Sequence, residues 1–230
     1  MQLNLQGPSL MPESGGAPDS LVVLLHGVGA DGNDLIGLAP YWADDLPDTA
    51  FFSPHAPFPC DMAPFGRQWF SLMSFDPDRV LAGIRQAAPI LDSYIDGLLA
   101  AHGLAADRLA IVGFSQGSMM ALYTAPRRAT PLAGIVGFSG ALYGGATLAD
   151  DIRAKPPSLL IHGEDDGVVP FPSLQAAHAR LKSVGVPVKA VARPGLAHGI
   201  DEIGIDLAGA FLLAALTKKA AAIAHAEASC

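Results

Sequence analysis

Cysteine is nearly absent from this chain, which has two, Cys60 and Cys230, in 230 residues. Two cysteines build no disulfide framework and these form no C-x-x-C unit, so a reducing compartment, by default the cytoplasm, is expected. Charge is also scarce, at 16% of residues, and Lys+Arg 14 against Asp+Glu 22 leaves a net charge of −8. A general nucleic-acid binder needs a basic face to displace counterions from phosphate, and no run of basic residues is present. Long apolar runs are missing too. The uncharged stretches near 109–126 and 129–149 are broken by Gly, Ser and Pro, and the run 207–216 is too short to span a bilayer. The first residues, MQLNLQGPSLMPESGG, have no basic segment followed by an apolar one, so a secretory signal is not expected.

What the chain has in quantity is apolar side chains, 50% of residues, with a mean hydropathy of +0.35. Hydrophobic cores grow to about 250 residues before chains split, and no repeat, charge block or composition shift marks a linker. A single domain over residues 1–230 is therefore expected, with 1–18 and 224–230 peripheral or frayed.

Short β-rich apolar runs at 21–25, 50–53, 109–112, 133–138, 158–161 and 186–192 alternate with segments of helical period at 34–43, 76–102, 116–123, 173–184 and 203–224. That alternation predicts an α/β architecture, a mostly parallel sheet with helices on both faces. The clearest helix, 76–102, has Asp76 to cap it and Pro77 in its first turn. Val80, Ile84, Ala88, Leu91, Ile95 and Leu98 form its apolar stripe, and Gly103 stops it. Pro89 within it predicts a kink. Residues 54–75 form a long, Pro-rich, aromatic connection of the kind that is usually functional, and Phe58, Phe65, Trp69 and Phe70 favour an ordered wall there.

Chemistry concentrates in Gly113-Phe114-Ser115-Gln116-Gly117, a G-x-S-x-G between a predicted strand and a predicted helix. In that context it reads as a nucleophile elbow. The small flanking residues let Ser115 take strained backbone angles, and the helix start presents free N–H groups to a developing oxyanion. A serine nucleophile needs a histidine base oriented by a carboxylate, in the chain order Ser, Asp or Glu, His. Elimination among the seven histidines leaves His198, in the Gly-flanked loop 194–199. His26, His55 and His102 precede the serine, His162 ends a strand before any suitable loop acid, His178 lies on a helix and His225 in the tail. For the acid, Glu164, Asp165 and Asp166 compete in the loop after residues 158–161. Asp166 is assigned, with Glu164 as a structural acid for loop N–H groups, and a metal site at these consecutive residues is disfavoured.

Upstream, His26-Gly27-Val28-Gly29-Ala30-Asp31-Gly32 follows a predicted strand. Formally it contains G-x-G-x-x-G, but the next strand lacks the acid that would grip a ribose, so a nucleotide site is a weak reading. Its better use is as the second oxyanion donor, with the N–H groups of Val28 and Gln116 forming the hole and His26 serving structure.

These four segments, with Asp166-Gly167-Val168-Val169-Pro170 and the 195–199 histidine loop in the right order, resemble the phospholipase/carboxylesterase family of α/β-hydrolases, relatives of the acyl-protein thioesterases. The resemblance implies the α/β-hydrolase fold without a large cap domain, a triad of Ser115, Asp166 and His198, an oxyanion hole at Val28 and Gln116, and Trp69 near an acyl pocket. Phe58, Phe65, Phe70 and Leu72 join Trp69 as candidate substrate-binding residues. One departure is Ser118, where the family often has a second glycine, with packing beneath Ser115 in question. The expected activity is hydrolysis of carboxylic esters, with thioesters and lysophospholipids as further substrates, through an acyl-enzyme on Ser115 and without metal or organic cofactor. The rival is a silent hydrolase fold acting as a ligand- or partner-binding module. A small-molecule or acyl-chain ester is the expected partner, and a homodimer is left open.

Overall fold

The computed structural model describes residues 5–227, with side chains as far as Thr217. Strands β1 (Ser9–Leu10), β2 (Ser20–Leu25) and β3 (Thr49–Phe52) open the chain, and β4 (Phe58–Pro59) and β5 (Arg67–Gln68) form a separate two-stranded ribbon. Strands β6 (Leu109–Phe114), β7 (Gly134–Phe138), β8 (Ser158–Gly163) and β9 (Val188–Arg193) complete a seven-stranded sheet of order β1-β3-β2-β6-β7-β8-β9. All its pairings are parallel except that of β1 with β3.

Strand β2 is buried along its whole length, and its alternating side chains enter two different cores. Leu21, Val23 and Leu25 point into one, Val22 and Leu24 into the other. A strand covered on both faces reads as an unbroken apolar run, which is why it was visible in the sequence. On the first face pack α3 (Pro77–His102), α4 (Gln116–Thr124) and α6 (Pro172–Ser183), through residues such as Ile84, Leu91, Met120 and Leu181. On the second pack α1 (Gly32–Leu35), α2 (Pro40–Ala43) and α7 (Glu202–Glu227), through Leu35, Trp42, Ala208 and Leu212. The remaining helix, α5 (Leu148–Asp151), is a single turn between β7 and β8. No helix among the described residues is long and apolar enough to cross a membrane.

Helix α3 begins and ends as its sequence requires: the Asp76 carboxylate accepts from the N–H groups of Asp78 and Arg79, and Gly103 stops it at φ 64°. The helix is uninterrupted at Pro89, which sits on its exposed side, where water can serve the carbonyl that a proline cannot. The helix expected over 34–43 is instead broken into α1, a 3-10 turn at Ile36–Leu38, and α2. Pro40 has no N–H to continue the earlier turn and starts a new one. Residues 9–10, expected to be peripheral, form the edge strand β1. The pairing needs just two residues and shows no period that a sequence pattern could reveal.

Candidate active site

Strand β6 ends beside β2, and the chain turns sharply at Ser115, with φ 52° and ψ −115°, straight into α4. A serine in this region of backbone space carries strain that glycine neighbours make tolerable. A Cβ on Gly117 would lie 1.9 Å from the Leu25 carbonyl oxygen, and one on Gly113 would lie 2.5 Å from the backbone of Gly117. Both glycines of the motif are therefore dictated by close backbone approach.

Ser118 is buried beneath the turn, facing two further glycines, where Cβ atoms on Gly137 and Gly140 would come within 2.6 and 2.3 Å of its Oγ. Gly137 and Gly140 leave the space that the Ser118 hydroxymethyl group occupies. The Ser118 hydroxyl has no hydrogen-bond partner among the described residues.

The Ser115 Oγ lies 3.0 Å from His198 Nε2, and His198 Nδ1 lies 2.8 Å from Asp166 Oδ2. With Nδ1–H donating to the carboxylate, Nε2 is the acceptor for the serine hydroxyl, the tautomer a general base needs. The other carboxylate oxygen, Oδ1, accepts from the N–H groups of Val168 and Val169 at 2.9 and 2.8 Å. Burial by itself would push the Asp166 carboxyl up, but the hydrogen bonds from His198, Val168 and Val169 outweigh it and hold the group below the ordinary carboxylate range. The Phe114 ring packs on the imidazole of His198 at 4.9 Å between centroids.

The structure separates the three competing loop acids. Glu164 and Asp165 are exposed, and Asp166 alone is buried against the histidine. The structural role expected of Glu164 falls to Asp166, because that carboxylate takes up the loop N–H groups. Two loops are tied together here: Glu164 N–H donates to Arg193 O and Asp165 N–H to Leu196 O, both at 3.0 Å. Gly163 allows this approach, since a Cβ on it would sit 2.1 Å from the Leu196 oxygen.

On the other side of Ser115 the backbone of Gly27 passes so close that a Cβ there would touch the Ser115 Cβ at 3.4 Å. The Val28 and Gln116 N–H groups have no acceptor among the described residues, whereas Gly29 N–H is taken by Arg67 O at 2.9 Å. His26 is fully buried, donates from Nδ1 to Gly27 O and accepts the Ala56 N–H at Nε2; burial pushes its pKa down, so it is a neutral strut.

The Gln116 side chain grips the aromatic segment, with Oε1 accepting from Trp69 N–H and Nε2 donating to Phe70 O, each at 2.7 Å. This clamp had no signal in the sequence beyond the residue's place in the motif. The candidate wall residues divide. Trp69 is fully buried, with Nε1 donating to His26 O, and Phe70 is buried as well. The Trp69 ring packs beside His26, with ring centroids 5.9 Å apart, and Phe70 borders a surface cavity together with Phe58. Phe58 and Leu72 are half-buried, and Phe65 is 76% exposed at the tip of the β4–β5 ribbon.

A mostly parallel sheet covered on both faces, with a serine on a strained strand-to-helix turn after β6, an acid on the loop after β8 and a histidine on the loop after β9, defines an α/β-hydrolase. More narrowly, the chain belongs to the phospholipase/carboxylesterase family, whose model matches residues 11–215. It is similar to acyl-protein thioesterase 1 of Neurospora crassa, with 28% identity over 93% of this chain and 94% of that protein. Esterase YpfH of Escherichia coli is also 28% identical, over 82% of this chain and 79% of its own. The crystal structure of esterase PE8 superposes with a TM-score of 0.88 at 44% identity, covering 91% of this chain and 98% of that one. The protein is an ester hydrolase.

Proposed function

We propose that Ser115, His198 and Asp166 are the catalytic triad of this hydrolase and that the N–H groups of Val28 and Gln116 form its oxyanion hole. The observation that carries the reading is the unbroken chain of contacts from Ser115 Oγ through both nitrogens of His198 to the buried Asp166. Ser115 Oγ attacks the acyl carbon as His198 Nε2 takes its proton, and the two N–H groups receive the charge on the carbonyl oxygen. The imidazolium, held by Asp166, then protonates the departing alcohol or thiol. Water deprotonated by the same histidine hydrolyses the acyl-enzyme, and Ser115 is regenerated.

Substrates are carboxylic esters and thioesters of apolar acyl groups, including lysophospholipids, with Phe58, Phe65 and Leu72 closest to the acyl chain. The names of the relatives support both ester and thioester cleavage. The scarcity of cysteine supports a cytoplasmic site of action. The test is covalent labelling by a fluorophosphonate followed by mapping of the modified residue, alongside turnover of a series of acyl esters and thioesters. Labelling at Ser115 that abolishes turnover is expected. Turnover that survives complete labelling, or a label on another residue, would overturn the assignment.

A further inference from the structure

A second histidine lies against the triad acid. His162, in β8, is 1% exposed, and its Nε2 is 2.9 Å from the Val169 carbonyl oxygen and 3.1 Å from Asp166 Oδ2. Both neighbours of that nitrogen are acceptors, so Nε2 carries the hydrogen. Its bond goes to Val169 O, with the carboxylate oxygen alongside. Val169 in turn donates its own N–H to Asp166 Oδ1. A closed ring results: His162 holds Val169, Val169 holds one oxygen of Asp166, and the other oxygen lies between the nitrogens of His162 and His198. The Phe171 ring meets His162 edge-on, with centroids 6.1 Å apart, and closes the apolar side.

Resting on the triad reading above, we propose that His162 is a positioning residue of the catalytic machinery, which sets the orientation and basicity of Asp166 and, through it, of His198. His162 touches no substrate. Its N–H dipole beside Oδ2 draws negative charge from the carboxylate, which weakens the hold of Asp166 on a proton and favours a proton that stays on the imidazole of His198. Its bond to Val169 fixes the turn whose two N–H groups grip Oδ1. The other charged groups bordering the triad are Glu164 and Asp165, both exposed on the acid loop, and the Arg193–Asp201 ion pair at 2.9 Å on the segments flanking His198. None of them reaches Asp166 with a hydrogen bond.

The test compares His162→Phe, which keeps a ring of similar size against Phe171 and removes the N–H, with His162→Gln, whose amide nitrogen can reach the position of Nε2. In His162→Phe, kcat is expected to fall roughly tenfold, the equivalent of one lost hydrogen bond, with KM unchanged. The acid limb of the kcat/KM profile should move to higher pH, because a carboxylate with fewer donors holds the imidazolium more tightly. His162→Gln should recover most of kcat and restore the limb. A phenylalanine variant with the wild-type kcat and pH profile overturns the proposal, as do two variants equally impaired with unmoved limbs. Should His162→Phe not fold, the glutamine variant alone decides, since a displaced limb or a lost kcat there is incompatible with a role carried by the N–H. Ser115→Ala in the same assay separates the two readings: if it retains turnover, the triad assignment fails; if it is inert while the His162 variants behave as wild type, this inference alone fails.

Discussion

The ends of β6 and β7 are near copies of one another, with different fates. Gly113-Phe114-Ser115 and Gly137-Phe138-Ser139 lie side by side in register. Each ends in a serine of positive φ, 52° at Ser115 and 47° at Ser139, the two non-glycine residues of positive φ among those described. Each serine N–H donates across to the next strand, Ser115 to Phe138 O and Ser139 to Ile161 O, both at 2.9 Å. The chain after Ser115 enters α4, so the helix start and the Gln116 N–H sit at the serine. The chain after Ser139 continues as a non-helical segment. Ser115 Oγ faces His198 Nε2, and Ser139 Oγ lies 3.5 Å from Gly199 O, one residue beyond that histidine. A strained serine at a strand end is therefore not enough to bring a hydroxyl to the histidine. What the turn leads into, and which loop crosses above it, set the two serines apart: Ser115 meets the imidazole, and Ser139 contacts the backbone of the histidine loop.

Breaking the first turn should have the largest effect. Ser115→Ala is expected to reduce turnover by roughly six orders of magnitude, read as kcat on a short acyl ester. Replacing Asp166 by Asn should cost about 10⁴-fold in kcat, because the amide permits the wrong histidine tautomer. It should also alter acid stability. The carboxyl is held below its ordinary value in the folded state, so its stabilising contribution is complete above about pH 4, the unfolded value, and is lost as pH falls through the folded one. The Asn variant should lack that part of the slope in denaturant titrations at decreasing pH. Gly117→Ala places a methyl 1.9 Å from the Leu25 oxygen, so a lower melting temperature and loss of activity are expected together.

The smallest effect sharpens the comparison most. Ser139→Gly relieves a left-handed backbone that costs a non-glycine residue about 1 kcal/mol or more, so thermal stability should hold or rise. The loop carrying His198 loses its contact to Gly199 O, so kcat should fall a few-fold. If stability and activity fell together, the twin turn would have a packing role only.

The strands β2 and β6 were legible because both faces are covered and the runs are continuously apolar, and α3 because its cap, stripe and stop are local. Motif context and chain order singled out Ser115, Asp166 and His198, which the fold brings within hydrogen-bond distance of one another. Several features were not legible. The buried His162 was set aside because it precedes the acid, although the spacing of four residues to Asp166 was a faint signal. Trp69, read as a wall residue, has its indole N–H committed to His26 O in the interior. The clamp of Gln116 on residues 69 and 70 spans more than 40 positions of chain and leaves no periodic trace.

The sequence by itself determined the elements, their order and the chemical types available at each loop, since apolar alternation, caps, glycines and motif spacing act over a few residues. Tertiary structure placed Asp166 rather than Glu164 or Asp165 against His198, set Ser115 rather than Ser139 at its Nε2, and buried Trp69 and Phe70. Those choices depend on contacts across 32 and 83 residues of chain, where strand order and loop packing set distances to within an ångström and no local pattern records them.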